Sequence, residues 1–142
     1  MPNTPAHPRL ALYELGWLHL QTTQECNRLL HEMNFPVQMD QAPIVIFLYY
    51  REAASQQEMA QALQRDKASV NRTVTYLSRN SLVSVEPDEQ DGRKTVVKLT
   101  PAGKRIADEL ETILAKFDAT LTAGLTPEER QQLSFLLNKL TV

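Results

Sequence analysis

The sequence predicts a mainly α chain carrying a small β wing, and three observations predict it. The stretch from Ser55 to Thr100 holds two short helical patterns, a tight turn and then a ribbon with a charged tip. Long amphipathic patterns flank that stretch on both sides. Charge is also split along the chain: residues 64–105 hold nine Lys/Arg against five Asp/Glu, and the remainder six against twelve. Together these give a winged helix-turn-helix with N- and C-terminal dimerisation helices. The expected organisation is one domain over 1–142, with dimerisation helices at 9–33 and 101–142 and a winged-helix lobe at 40–100.

Residues 1–8 carry three Pro and are expected to form a loose arm. A long helix then runs from about Arg9 to Met33. One apolar stripe uses Leu15, Leu18, Thr22, Cys26, Leu29 and Met33. A second, Leu10, Tyr13, Trp17 and Leu20, lies roughly opposite. A helix apolar on two faces must be covered on both, one by its own domain and the other by a further helix, read here as belonging to a second subunit. Pro36 closes it, and Asp40 is the expected N-cap of the next helix, with Pro43 in its first turn. Ile44 to Tyr50 is apolar on every face and therefore central to the core. Residues 51–54 read as a connection.

Ser55 and Glu58 fit a capping box that opens a helix with Met59, Ala62 and Leu63 on its apolar side. Asp66 caps the next helix, Lys67 to about Arg79, whose Val70, Val74 and Leu77 fall at core spacing. Its opposite face carries Ala68, Ser69, Arg72, Thr75, Tyr76 and Arg79, with no acid from Lys67 to Arg79. Short hydroxyls with Arg suit a helix lying in a major groove, where Arg reads guanine N7 and O6. Leu82 to Glu86 reads as a strand ended by Pro87. Asp88 to Gly92 forms a turn, and Arg93 to Leu99 alternates as the return strand. Arg93 at the tip can enter a narrow minor groove, the alternative being a hairpin whose tip charges are merely solvated.

Thr100-Pro101 supplies an N-cap and a Pro at the first helical position. Ile106, Leu110, Ile113, Phe117 and Leu121 then make an amphipathic helix that Gly124 is expected to stop. Thr126-Pro127-Glu128-Glu129 is a second capping box, opening a last helix with Leu133, Leu136, Leu137 and Leu140 as its stripe.

Taken in sequence, these elements resemble the multiple antibiotic resistance regulator (MarR) family of winged-helix transcriptional regulators. The resemblance is carried by Asp91-Gly92-Arg93 with Leu99-Thr100-Pro101-Ala102-Gly103-Lys104, the wing signature. It is carried also by Asp66-Lys67-Ala68-Ser69-Val70-Asn71-Arg72 with Leu77 and Leu82-Val83. The order of helices extends it over nearly the whole chain. Two positions depart from the family: Ser81 stands where Gly is usual, so that Asn80 is expected to supply the left-handed residue, and Tyr76 stands where a basic residue is common. The resemblance implies dimerisation by the first and last two helices. It also implies a wing in which Asp91 holds Arg93, and a small-molecule pocket between the dimer helices and the DNA-binding lobe.

The DNA-contacting candidates are therefore Ser69, Asn71, Arg72, Tyr76, Arg79, Asp91, Arg93 and Lys94, with Asn71 at the margin between core and DNA faces. Trp17, His19, Tyr49 and Tyr50 are candidates to line an effector pocket, against the alternative that they are core or interface aromatics. Cys26 is a redox candidate because some MarR-like proteins sense peroxide through a first-helix Cys. Its place on an apolar stripe instead suits a small hydrophobe.

Enzyme chemistry finds no constellation. His31-Glu32 begins like a zinc-protease motif, but residue 35 is Phe, and the three His share no ligand spacing with each other or with Cys26. Asp108, Glu109 and Glu111 read as a solvated face. There is no phosphate-binding Gly-rich loop, and no metal or cofactor is expected. No run approaches a membrane span, nothing at the N-terminus argues for export, and a single Cys fits a reducing cytoplasm. The expected partners are double-stranded DNA, a second copy of the chain and a small-molecule effector, with no membrane. The alternatives are a thiol-based redox regulator using Cys26, or a winged helix that docks on protein without binding DNA.

Overall fold

Side chains that complete the first turn set where most of the helices begin. The structure, a computed structural model, describes residues 10–142, so the expected arm and Arg9 lie outside the described residues. In chain order the elements are α1 (Ala11–Glu32), α2 (Ala42–Arg51), β1 (Ala53–Ala54), α3 (Gln56–Ala62), α4 (Lys67–Arg79), β2 (Val83–Pro87), β3 (Thr95–Leu99), α5 (Pro101–Leu121) and α6 (Pro127–Lys139). Ser55 and Thr126 each close a reciprocal capping box, with Glu58 and Glu129 respectively. Asp66 and Thr100 accept the N–H of Ser69 and Gly103. These caps satisfy donors that the helix itself leaves unpaired.

The start of α2 differs from expectation. Gln41, not Asp40, occupies the N-cap and makes no side-chain cap bond there. Its Oε1 instead accepts the N–H of Gln38 and shapes the preceding turn. The end of α4 differs too: Asn80 has φ −91° and Ser81 takes the left-handed conformation at φ 58°. Ser81 N–H reaches Ser78 C=O at 3.0 Å and Leu82 N–H reaches Leu77 C=O at 2.9 Å, the paired bonds of a Schellman ending. The Asn80 amide is used otherwise, donating to Tyr76 C=O at 2.8 Å.

The core gathers Leu30, Val37, Ile44, Val45, Leu48, Met59, Val70, Val74, Leu77, Val97 and Leu110, with Cys26 among them. Leu30 rather than Leu29 is the deeply buried residue of α1, one turn beyond Cys26 at i, i+4. On α3 the buried pair is Met59 and Ala60, and Ala62 is exposed. Neither apolar stripe in the first half of α1 packs on this chain: Leu10, Tyr13, Leu15, Trp17, Leu18 and Leu20 are all exposed. The expectation that one face would be covered by the same protomer is thus corrected. Similarly, α6 buries no residue. Helix α5 ends at Leu121, ahead of Gly124, with the Thr122 hydroxyl donating to Asp118 C=O at 2.8 Å.

The sheet has order β1-β3-β2, all antiparallel. Residues 53–54, expected to be a plain connection, pair as a third strand with Val97 and Lys98. Strand β2 includes Pro87, opposite Thr95, and β3 begins at Thr95, so Arg93 and Lys94 belong to the turn. Thr100 secures the root of this ribbon: its N–H donates to Leu82 C=O and its hydroxyl to Ser81 C=O at 2.7 Å.

Candidate nucleic-acid interface

Helix α4 turns Val70, Thr73, Val74 and Leu77 inward, which leaves a polar face outside. Asn71, Arg72, Thr75, Tyr76, Arg79 and Asn80 line a shallow groove of about 330 Å³ along that face. Arg72 and Arg79 are exposed and make no side-chain hydrogen bond or ion pair with another described residue. Arg72 acts on the Asp66 carboxylate through its charge alone, so both guanidinium groups keep their N–H donors for an outside acceptor.

The other candidates on α4 are engaged. Asn71 Nδ2 donates to Gln56 Oε1 at 3.2 Å, which turns it toward α3. The Tyr76 hydroxyl donates to Pro36 C=O at 2.9 Å, so the phenol is committed to the loop between α1 and α2 and offers outward its ring. Ser69 is half-buried, and its Oγ accepts from Arg65 Nε at 3.1 Å and Nη2 at 2.6 Å. Arg65 was not among the expected residues, although its spacing of four and eight to the hydroxyls of Ser69 and Thr73 is a signal for it. It also donates to Asp40 C=O at 2.8 Å, tying the α1–α2 loop to the start of α4.

At the wing tip Asp91 accepts the backbone N–H of Arg93 at 3.1 Å, and its C=O accepts the N–H of Lys94. Asp91 therefore orders the backbone under Arg93, and among the described residues no ion pair joins the two side chains. The second organiser is Asp88, which sequence reading passed over as a generic turn residue. Its Oδ1 accepts the N–H of Gln90 at 2.7 Å and of Asp91 at 3.2 Å. Those bonds hold its carboxyl below the usual carboxylate range. The signal was an Asp opening a turn, whose side chain bonds the backbone two residues on. Arg93 and Lys94 stand exposed on this scaffold.

The four pocket candidates separate into two places. Tyr49 and Tyr50 meet edge to face at 5.2 Å. Their hydroxyls reach Asp108 Oδ1 at 3.3 Å and Glu111 Oε2 at 2.8 Å, joining α2 to α5. Nearby carboxylate charge raises the Tyr49 pKa, and the bond to Glu111 raises that of Tyr50. Asp108 and Glu111 are thus tyrosine partners rather than a simply solvated face. Trp17 and His19 lie instead on the exposed first half of α1. Cys26 is 1% exposed, and burial pushes its thiol pKa up, the opposite of what a reactive thiolate needs. The nearby Arg28 is bound to Glu25 and Glu32. Among the described residues no cluster of His, Cys, Asp and Glu could hold a metal, and no helix is long and apolar enough to cross a membrane.

A helix-turn-helix whose second helix has an acid-free outer face, followed by an antiparallel ribbon with a cationic tip, defines a winged-helix protein. Residues 33–94 match the model of the MarR family. The HTH-type transcriptional regulator BilQ of Clostridium symbiosum (strain WAL-14163) is 28% identical over 96 residues, 68% of this chain and 67% of its own. S. aureus MepR, in its DNA complex, superposes with a TM-score of 0.82 at 24% identity, covering 93% of this chain and 96% of that one. An E. coli MarR variant complexed with operator DNA gives 0.74 at 25% identity, covering 90% and 94%. Over residues 33–94 the chain is thus similar to the MarR family of transcriptional regulators, and its fold is that of the MepR and MarR structures.

Proposed function

We propose that two copies of this chain form a dimer that binds a near-palindromic operator and acts as a ligand-responsive repressor in the cytoplasm. The observation that carries the reading is the outer face of α4, where Arg72 and Arg79 make no side-chain hydrogen bond or ion pair with the described residues and stand beside an acid-free groove. Two such helices would enter successive major grooves roughly 34 Å apart. Arg72 and Arg79 would read bases or phosphates, with Ser69, Asn71 and the Tyr76 ring at their side. Arg93, on a tip ordered by Asp91, would enter the minor groove, and Lys94 would meet phosphate. Support comes from the complex of the E. coli MarR variant with operator DNA. The exposed apolar side chains of α1 and α6 supply the surface that a second copy would cover.

An effector would act by population shift between two spacings of the reading heads. The burial of Cys26 gives the redox reading no support.

The test is selection of bound duplexes from a random library, then titration of the enriched sequence at two salt concentrations. The expected outcome is a near-palindrome with half-sites one turn apart, bound much more weakly at higher salt. No enrichment and a flat salt dependence would instead mean that the winged helix docks on protein. On the enriched duplex Arg72→Ala is expected to weaken binding by ~1–3 kcal/mol and to relax one base pair. Unchanged affinity would place the recognition register elsewhere.

A further inference from the structure

We propose that Arg65 fixes Ser69 as a hydrogen-bond donor, so that this position of the recognition helix accepts only an acceptor from the DNA. The inference rests on the DNA-binding reading above. A serine hydroxyl has one proton to give and two lone pairs to receive with. The Arg65 fork brings both Nε, at 3.1 Å, and Nη2, at 2.6 Å, to the single oxygen of Ser69, which fills its accepting side. Among the described residues no acceptor takes the hydroxyl proton. The serine backbone is fixed as well, because Ser69 N–H is held by the Asp66 carboxylate at 2.8 Å.

The fork cannot easily turn away. Arg65 Nη1 donates to Asp40 C=O at 2.8 Å, and Nη2 also approaches Thr73 Oγ1 at 3.4 Å. The Arg65 side chain is 18% exposed, so these bonds are shielded from competing water. A cation donating into a hydroxyl oxygen polarises its O–H bond and strengthens what that proton can give. The group that completes Ser69 is therefore an acceptor: a phosphate oxygen, or a base-edge acceptor such as purine N7. An amino group of cytosine or adenine would meet no free lone pair. Arg65 acts here through Ser69 and is a positioning residue.

The experiment uses the full chain on its selected duplex, with Ser69→Ala, Arg65→Met and the double variant measured together, and melting curves run on each. Ser69→Ala is expected to weaken binding about 10-fold, Arg65→Met by a similar factor, and the double variant no further. Duplexes carrying a neutral methylphosphonate at single phosphates, or 7-deazapurine at single bases, locate the acceptor. One such substitution should weaken wild type about 10-fold and leave Ser69→Ala unaffected. A methylphosphonate hit assigns a phosphate, and a deazapurine hit assigns a base. Should Arg65→Met not fold, Arg65→Lys, which keeps the cation but lacks the fork, carries the same comparison. Wild-type affinity in Ser69→Ala, or losses that multiply in the double variant, would overturn the proposal while Arg72→Ala still weakens binding. If no duplex is selected at all, it is the DNA-binding reading itself that fails.

Discussion

Gly103 shows how a single missing methyl can decide packing. It takes no left-handed angle, yet a Cβ there would stand 1.9 Å from the carbonyl oxygen of Leu82 and 3.2 Å from Leu99. The same carbonyl accepts Thr100 N–H, so it cannot move without loosening the wing root. Gly103→Ala is expected to cost about 3 kcal/mol, read as a lower denaturant midpoint at unchanged slope. Like Glu25 and Asp88, Asp66 contributes to the pH dependence. Its carboxyl is held below the ordinary range first by the bond from Ser69 N–H, then by the charge of Arg72. A depressed folded value means that the unfolded chain takes up the proton more readily. The contribution is thus complete above the unfolded pKa and is lost as pH falls through the folded one. Asp66→Asn keeps a good cap and is expected to flatten the acid limb of the stability curve without abolishing α4. Melting temperatures taken down the acid range would show it.

Where the local chemistry is self-contained, whole elements were readable from the chain alone. The limits of α4, both capping boxes and the Thr100-Pro101 start stand as expected, because each depends on residues within four positions. Elements that depend on a distant partner were not. Ala53-Ala54 carries no strand pattern and becomes one only because β3 offers it an edge. The stripe on α1 was misread by one residue near its end, since the packing of Cys26 and Leu30 fixes the helix rotation. The interface residues divide the same way. As candidates, Arg72, Arg79, Arg93 and Lys94 could be named from charge and are exposed, whereas Arg65 and Asp88 act through bonds that only the folded turn brings together. At the end of α4 the left-handed Ser81 carries a cost of about 1–2 kcal/mol that glycine lacks. Ser81→Gly is expected to stabilise by about 1 kcal/mol after the added entropy of the unfolded chain, visible as a raised melting temperature. No change would mean that Ser81 is relieved by a contact outside this protomer.

A protomer that leaves the first half of α1 and all of α6 uncovered is short of a surface. The proposed second copy gives these residues their burial. Leu133→Glu with Leu137→Glu should shift the sedimentation of the chain to that of a monomer. The same pair should lower operator affinity while the helix content of residues 56–79 is kept. A dimer that survives both charges would move the interface off α6. The electrical division of the chain suits this arrangement, since an acidic remainder would keep stray DNA away from all but the basic segment. Three side chains from outside tie the α1–α2 loop: Asn27 of α1 accepts Met39 N–H at 2.7 Å, Arg65 donates to Asp40, and the Tyr76 hydroxyl donates to Pro36 C=O. No slack is left between the helix that would cross its twin and the helix that would meet the groove. The proposed dimer would then act as a caliper, its jaws set by the angle at which the two α1 helices cross. In the proposed dimer half-site spacing would be set through that loop, and a few degrees at the pivot would become ångströms at the DNA.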